Sequence, residues 1–208
     1  MNSQIVRNAA ILILASVLFS CNSIPKETKE KATEYYKQIN GETQNVSDNI
    51  ISFYDSVSAI SGNIFSGIDL EKAKQLSGSL TLFESKISAE IESIKSAKEF
   101  DETIPYGANS IKILENYKKI ITSDYSNLLS ISTSDIDPSY IMKLDSVKVL
   151  ILKNLIAIER DVISNNKSFC EKYSIENKDG ERKLSIFENA LSNLEYKIES
   201  LKRVTEMQ

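Results

Sequence analysis

Side chains able to do chemistry are few in this 208-residue chain, and each arrangement of them has a simpler structural use. Asp135 and Asp137 flank Ile136 and could hold a cation between them. Asp137 also stands directly before Pro138, which pairs an N-cap with a proline suited to the first helical turn. Asn177-Lys178-Asp179-Gly180 has part of a calcium-loop pattern. Taking Gly180 as its sixth position puts Ile175 first and Ile186 twelfth, where oxygen ligands are required, so the stretch is read as a turn. Glu90 and Glu92 lie two apart on a helix and do not share a face, so they make no acid–base dyad. The chain contains no His. That removes Ser–His and Cys–His nucleophilic catalysis, His-ligated metals and the Glu-x-x-His ligands of di-iron bundles. No catalytic residue, metal site or cofactor site is expected. Tyr35, Tyr36, Tyr117 and Tyr125 could stack on a ligand. At the seams of helices their commoner use is packing, with the hydroxyl turned to water. Cys170, beside Phe169, reads as a buried thiol.

One cysteine does carry chemistry. Residues 1–20 have the three parts of a secretory signal: a short start with Arg7, the uncharged run Ala9–Leu18, and small Ser20 at the end. The apolar run is too short for a comfortable membrane span. Cleavage is expected between Ser20 and Cys21. Leu18, Phe19, Ser20 and Cys21 together resemble the lipobox of bacterial lipoproteins, in which the cysteine thiol receives diacylglycerol. The resemblance implies lipidation at Cys21, with the acyl chains holding the protein to a membrane. Residues 21–27, containing Pro25, read as the lipidated tether. No Asp follows Cys21, which favours the outer membrane, on its periplasmic face or at the cell surface.

Behind these residues the apolar spacing is helical almost throughout. The first segment steps through Ala32, Tyr36, Ile39, Val46, Ile50, Phe53 and Val57, with Thr43 in the one weak position. Gly41 falls inside it and is expected to bend or divide the helix. The second opens at Asp69 as N-cap and runs from Ala73 through Phe83, Ile87 and Ile91 to Ala97. Phe100–Pro105 breaks it. The third carries Ala108, Ile111, Leu114, Tyr117, Ile121, Tyr125 and Leu128. The fourth runs from Ile141 to Tyr173 and is the most apolar, with Val149, Leu150, Leu152 and Ile156 widening its stripe, so it should lie centrally. The last, over 181–206, repeats Leu184, Phe187, Leu191, Leu194, Ile198 and Leu201 in strict heptads, a pattern open to a protein partner or to self-association. The fold expected is all-α: an antiparallel bundle of four to five long helices preceded by a cleaved signal peptide. Its four-helix bundle spans 28–175, followed by the C-terminal heptad helix.

The charge, −4 overall and −5 without Arg7, is spread rather than patched. That gives no footprint for nucleic acid. The Cys21 lipobox, Tyr35-Tyr36 soon after it, Phe100-Asp101, Tyr117 and Tyr125, and Phe169-Cys170-Glu171-Lys172-Tyr173-Ser174-Ile175 together resemble a family of α-helical surface lipoproteins. These are the leptospiral-type proteins also widespread in Bacteroidota. The likeness spans residues 21–175 and leaves out the heptad helix after Gly180. It implies location and fold and transfers no site, since the family has no assigned activity. The expected function is that of a membrane-anchored, non-enzymatic interaction protein. The alternative is a bundle that holds a small or apolar ligand in a cavity lined by Phe83, Tyr117 or Ile151.

Overall fold

A computed structural model describes residues 24–60, 70–132, 140–177 and 181–206. Within these residues the chain is helical, with no strand. Helix α1 spans Lys26–Ile60, α2 Leu70–Ser96 and α3 Tyr106–Lys119. A π-helical segment, Ile120–Tyr125, joins α3 to the short α4, Ser126–Ser132, so the three form one rod. Helix α5 spans Tyr140–Tyr173 and α6 Arg182–Glu206. The expected all-α antiparallel bundle is what forms.

The register follows from pairs of side chains. Ser93 bonds Glu42 and Phe53 packs on Phe83, so α1 and α2 run antiparallel. Tyr106 reaches Asn166 and Tyr117 reaches Glu159, which sets α3 antiparallel to α5. Helices α1 and α3 touch across the bundle, whereas α2 and α5 make no contact among the described residues. Helix α5 packs on α1, on the α3–α4 rod and on α6, the central position its breadth of apolar surface requires. Helix α6 lies along α5, outside the four-helix core.

The buried stripe of α1 is the one read from spacing, Thr43 included. Gly41 does not divide this helix, which runs unbroken for 35 residues. The glycine faces open space, and the packing on either side outweighs its poor propensity. On α3 the expected stripe needs correcting. Ala108 is exposed and Ile111 only partly buried, while Ile113 and Ile120 are in the core. The buried face steps through Tyr106, Ser110, Ile113, Tyr117 and Ile120 at ordinary helical spacing, one residue off the expected stripe, and is wide enough to take Leu114 and Ile121 as well. Leu150 of α5 is 50% exposed, so it does not widen the buried face as expected.

Candidate functional site

Helix α5 carries a polar spine inside the apolar core. Glu159, Asn165 and Asn166 are buried at positions that continue the stripe from Leu155 through Val162 to Phe169. The Glu159 carboxylate accepts from the Ser47 hydroxyl at 2.6 Å and the Tyr117 hydroxyl at 2.5 Å. About two turns along, Tyr106 donates to Asn166 at 2.7 Å, and Asn166 donates to Asn40 at 3.1 Å. Asn165 donates to Ser110 and to the Tyr106 carbonyl. These bonds join α1, α3 and α5 at one register, because slipping either neighbour would strand buried polar groups. Burial first, then the Glu159 charge, hold the Tyr117 hydroxyl well above its ordinary pKa. The Tyr117 hydroxyl thus faces inward, not toward water as its seam position suggested, and the Tyr106 hydroxyl is buried likewise.

The end of the bundle nearest the α1 N-terminus is closed by aromatic rings. Tyr36, Tyr106, Phe169 and Tyr173 pack in sequence, with Phe100 and Tyr35 against them. The carboxylate of Asp101 accepts from Lys172, from the Tyr173 hydroxyl at 2.5 Å, and from Thr103. These bonds, led by the one from Lys172, hold its pKa far below the ordinary carboxylate range. Pro105 offers no side-chain cap to α3. Glu99 caps it instead from the connection after α2, accepting from the Gly107 and Ala108 amides at 3.2 and 3.0 Å and from the Tyr35 hydroxyl at 2.7 Å.

Open hollows lie on the surface of the described residues, three of them along α5. Two of them, about 270 and 320 Å³, share Asn116 and Asp161 and form one trough between α3 and α5. Its floor is aliphatic, from Ile104, Ile113, Ile120, Ala157 and Ile158, and its walls are polar. The π segment brings Ile120 and Asp124 to the trough, and Asn154 fixes Asp124 by a bond of 2.9 Å. Asn109 is braced from beneath by Asn165 at 3.3 Å. The third hollow, about 330 Å³, runs between Ser146 and Val149 of α5 and Glu195 to Lys202 of α6. Beside it Asp145 is buried against Lys197 at 3.0 Å and Lys148 at 3.9 Å. Burial lowers the Lys148 pKa, with the Asp145 charge opposing.

Cys21, Ser20, Asp135 and Asp137 lie outside the described residues. Asn177 closes the end of the bundle by accepting from Tyr36 at 3.4 Å, and 178–180 lie outside the description. Cys170 is buried. Phe83, Tyr117 and Ile151 are core residues, and none of the three hollows is lined by them. Glu90 and Glu92 stay apart, but Glu90 meets Glu42 across the α1–α2 seam. That hydrogen bond, then partial burial and the Glu42 charge, raise the Glu90 pKa to about 7. Among the described residues no three metal-ligating side chains converge. The chain was also compared with known proteins. It matches no protein family, no curated protein and no solved structure.

Proposed function

We propose that the protein is a lipid-anchored bacterial lipoprotein that acts by contact with a protein partner, without catalysis, at the outer membrane. The observation that supports this most is positional: Ile24 packs on the core and α1 runs from Lys26, so packed residues stand within five positions of Cys21 in sequence. A lipid on Cys21 would therefore hold a stiff rod by its end. Helix α1 alone is about 50 Å long at 1.5 Å per residue, which carries the far end well clear of a bilayer surface. No helix among the described residues is long and apolar enough to cross a membrane. The buried acids also support a contact role. Glu159, Asp101 and Asp145 are each engaged in internal bonds that hold helices together.

The test is labelled-palmitate incorporation and membrane fractionation of the wild type and a Cys21→Ser variant. The wild type is expected to take up label and sediment with the outer membrane, while the variant loses both properties. A variant that stays in the membrane fraction overturns the anchor. Surface proteolysis of intact cells then assigns the face. Crosslinking on the same cells is expected to give adducts between this chain and another protein or a second copy through α6; their absence overturns the contact role.

A further inference from the structure

We infer that the trough between α3 and α5 docks an extended polypeptide segment of the partner, its main chain held by the side-chain amides of Asn109, Asn116 and Asn154. This rests on the contact reading above, though not on lipidation of Cys21.

A side-chain amide offers a donor and an acceptor edge, the same pair a peptide group presents, so it can bond a main chain whatever its sequence. The side-chain amide of Asn116 makes no hydrogen bond among the described residues and stands at the waist of the trough. Asn109 and Asn154 are each held by one bond, to Asn165 and Asp124, and keep their carbonyl oxygens available. The spacing fits an extended chain. Asn109 and Asn116 are seven residues apart on α3, as are Asn154, Asp161 and Ser168 on α5. Seven helical residues rise about 10.5 Å. Three residues of an extended chain in the polyproline II form make one full turn and advance about 9 Å, so they return to the same face, as residues three apart in a β-strand do not. Every third residue of the segment would thus meet the same surroundings.

The rim adds a charge pattern. Lys112 and Lys119 line the trough with the same seven-residue spacing, and neither makes an ion pair among the described residues. Lys118, between them in sequence, turns away to Glu84 at 3.3 Å. A segment with acidic side chains three residues apart would pair both. Asp161 on the opposite wall is placed to accept a main-chain N–H. The floor of Ile113, Ile120 and Ile158 takes an apolar side chain between the acids. A glycan would fit less well, because no aromatic ring is among the described residues lining the trough.

Fluorescence anisotropy of the full-length chain in detergent micelles tests this. The probes are fluorescein-labelled, end-capped decapeptides of Val, Thr and Pro bearing two Glu three residues apart. Controls have the Glu two apart or replaced by Lys, and a soluble oligosaccharide serves as competitor. Saturable binding of the three-apart peptides is expected, at least threefold weaker for the two-apart control. Lys112→Ala with Lys119→Ala should weaken it at least tenfold and Asn116→Ala at least fivefold, with unchanged thermal transitions because these side chains are exposed. No saturable peptide binding, equal affinity in the variants, or competition by the oligosaccharide alone would overturn the site. Crosslinked adducts on cells alongside a negative peptide series would retain the contact role and reject this surface.

Discussion

Two tyrosines in one rod put opposite signs on the same chemical change. The Tyr117 hydroxyl lies in the core bonded to Glu159, while the Tyr125 hydroxyl is buried with no hydrogen-bond partner among the described residues. Leaving a buried hydroxyl unsatisfied costs roughly 1–3 kcal/mol, whereas breaking a bond to a charged acceptor loses stability of similar size. Tyr125→Phe should therefore raise the thermal midpoint and Tyr117→Phe lower it, read side by side by calorimetry. If both variants lose stability equally, the Tyr125 hydroxyl has a partner in solution. Glu90 supplies a second residue-scale expectation. Its folded pKa of about 7 exceeds the ordinary glutamate value, so the folded chain binds the proton more tightly than the unfolded one. Stability from this group is fully present below the ordinary value and is lost as pH rises through about 7. Denaturant midpoints should fall between pH 5 and 8 in the wild type, and Glu90→Gln should flatten most of that slope. A variant as steep as the wild type would assign the dependence elsewhere. Asp101 does not interfere, since its pKa lies far below this window.

At the scale of elements, helix existence was legible and helix irregularity was not. Periodicity located every rod because burial of one face is what makes each helix stable, and the α1 stripe from Ala32 to Val57 is buried throughout. The π segment left no such trace. Ile113, Ile120 and Ile121 are all apolar, so the sequence of α3 admits two stripes, and only packing against α1 and α5 chooses between them. The cap on α3 was equally hidden, because Glu99 reaches it from the connection after α2, eight residues before Gly107, and no short capping motif spans that distance. The polar spine, by contrast, had a signal. Glu159 and Asn166 interrupt an otherwise apolar stripe seven residues apart, at positions where a charged or amide side chain must be buried and therefore bonded. The trough was the least legible feature, since its walls are ordinary exposed polar residues whose alignment depends on the α3–α5 register.

For the whole molecule, the weakest join is the one between α6 and the rest. The core of the four-helix bundle is fixed by aliphatic packing and by the spine, but among the described residues α6 buries only one side chain completely, Phe187, set edge-on to Tyr54 of α1. Its other heptad positions are partly buried at best, and Leu201 is 37% exposed. Ion pairs do much of the remaining fastening: Arg160 with Glu188 at 2.9 Å, Lys153 with Glu195 at 3.2 Å, and Lys183 with Asp48 at 2.7 Å. Pairs as exposed as the first two contribute little, typically under about 1 kcal/mol each, and fade with salt. Only the Lys197–Asp145 pair has a buried carboxylate, and its lysine is itself partly exposed. Opening of α6 should therefore need less free energy than opening of the bundle, and amide exchange should be faster along 190–206 than along α5. Phe187→Ala sharpens the test. Removing a fully buried phenyl ring costs about 3–5 kcal/mol, and here the loss falls on one helix. Limited proteolysis of this variant should cut α6 early and leave the bundle through Tyr173 intact, with a further increase in cutting at high salt. A variant that unfolds in one step, with α6 and α5 equally protected until it does, would show that α6 belongs to the same cooperative unit as the core.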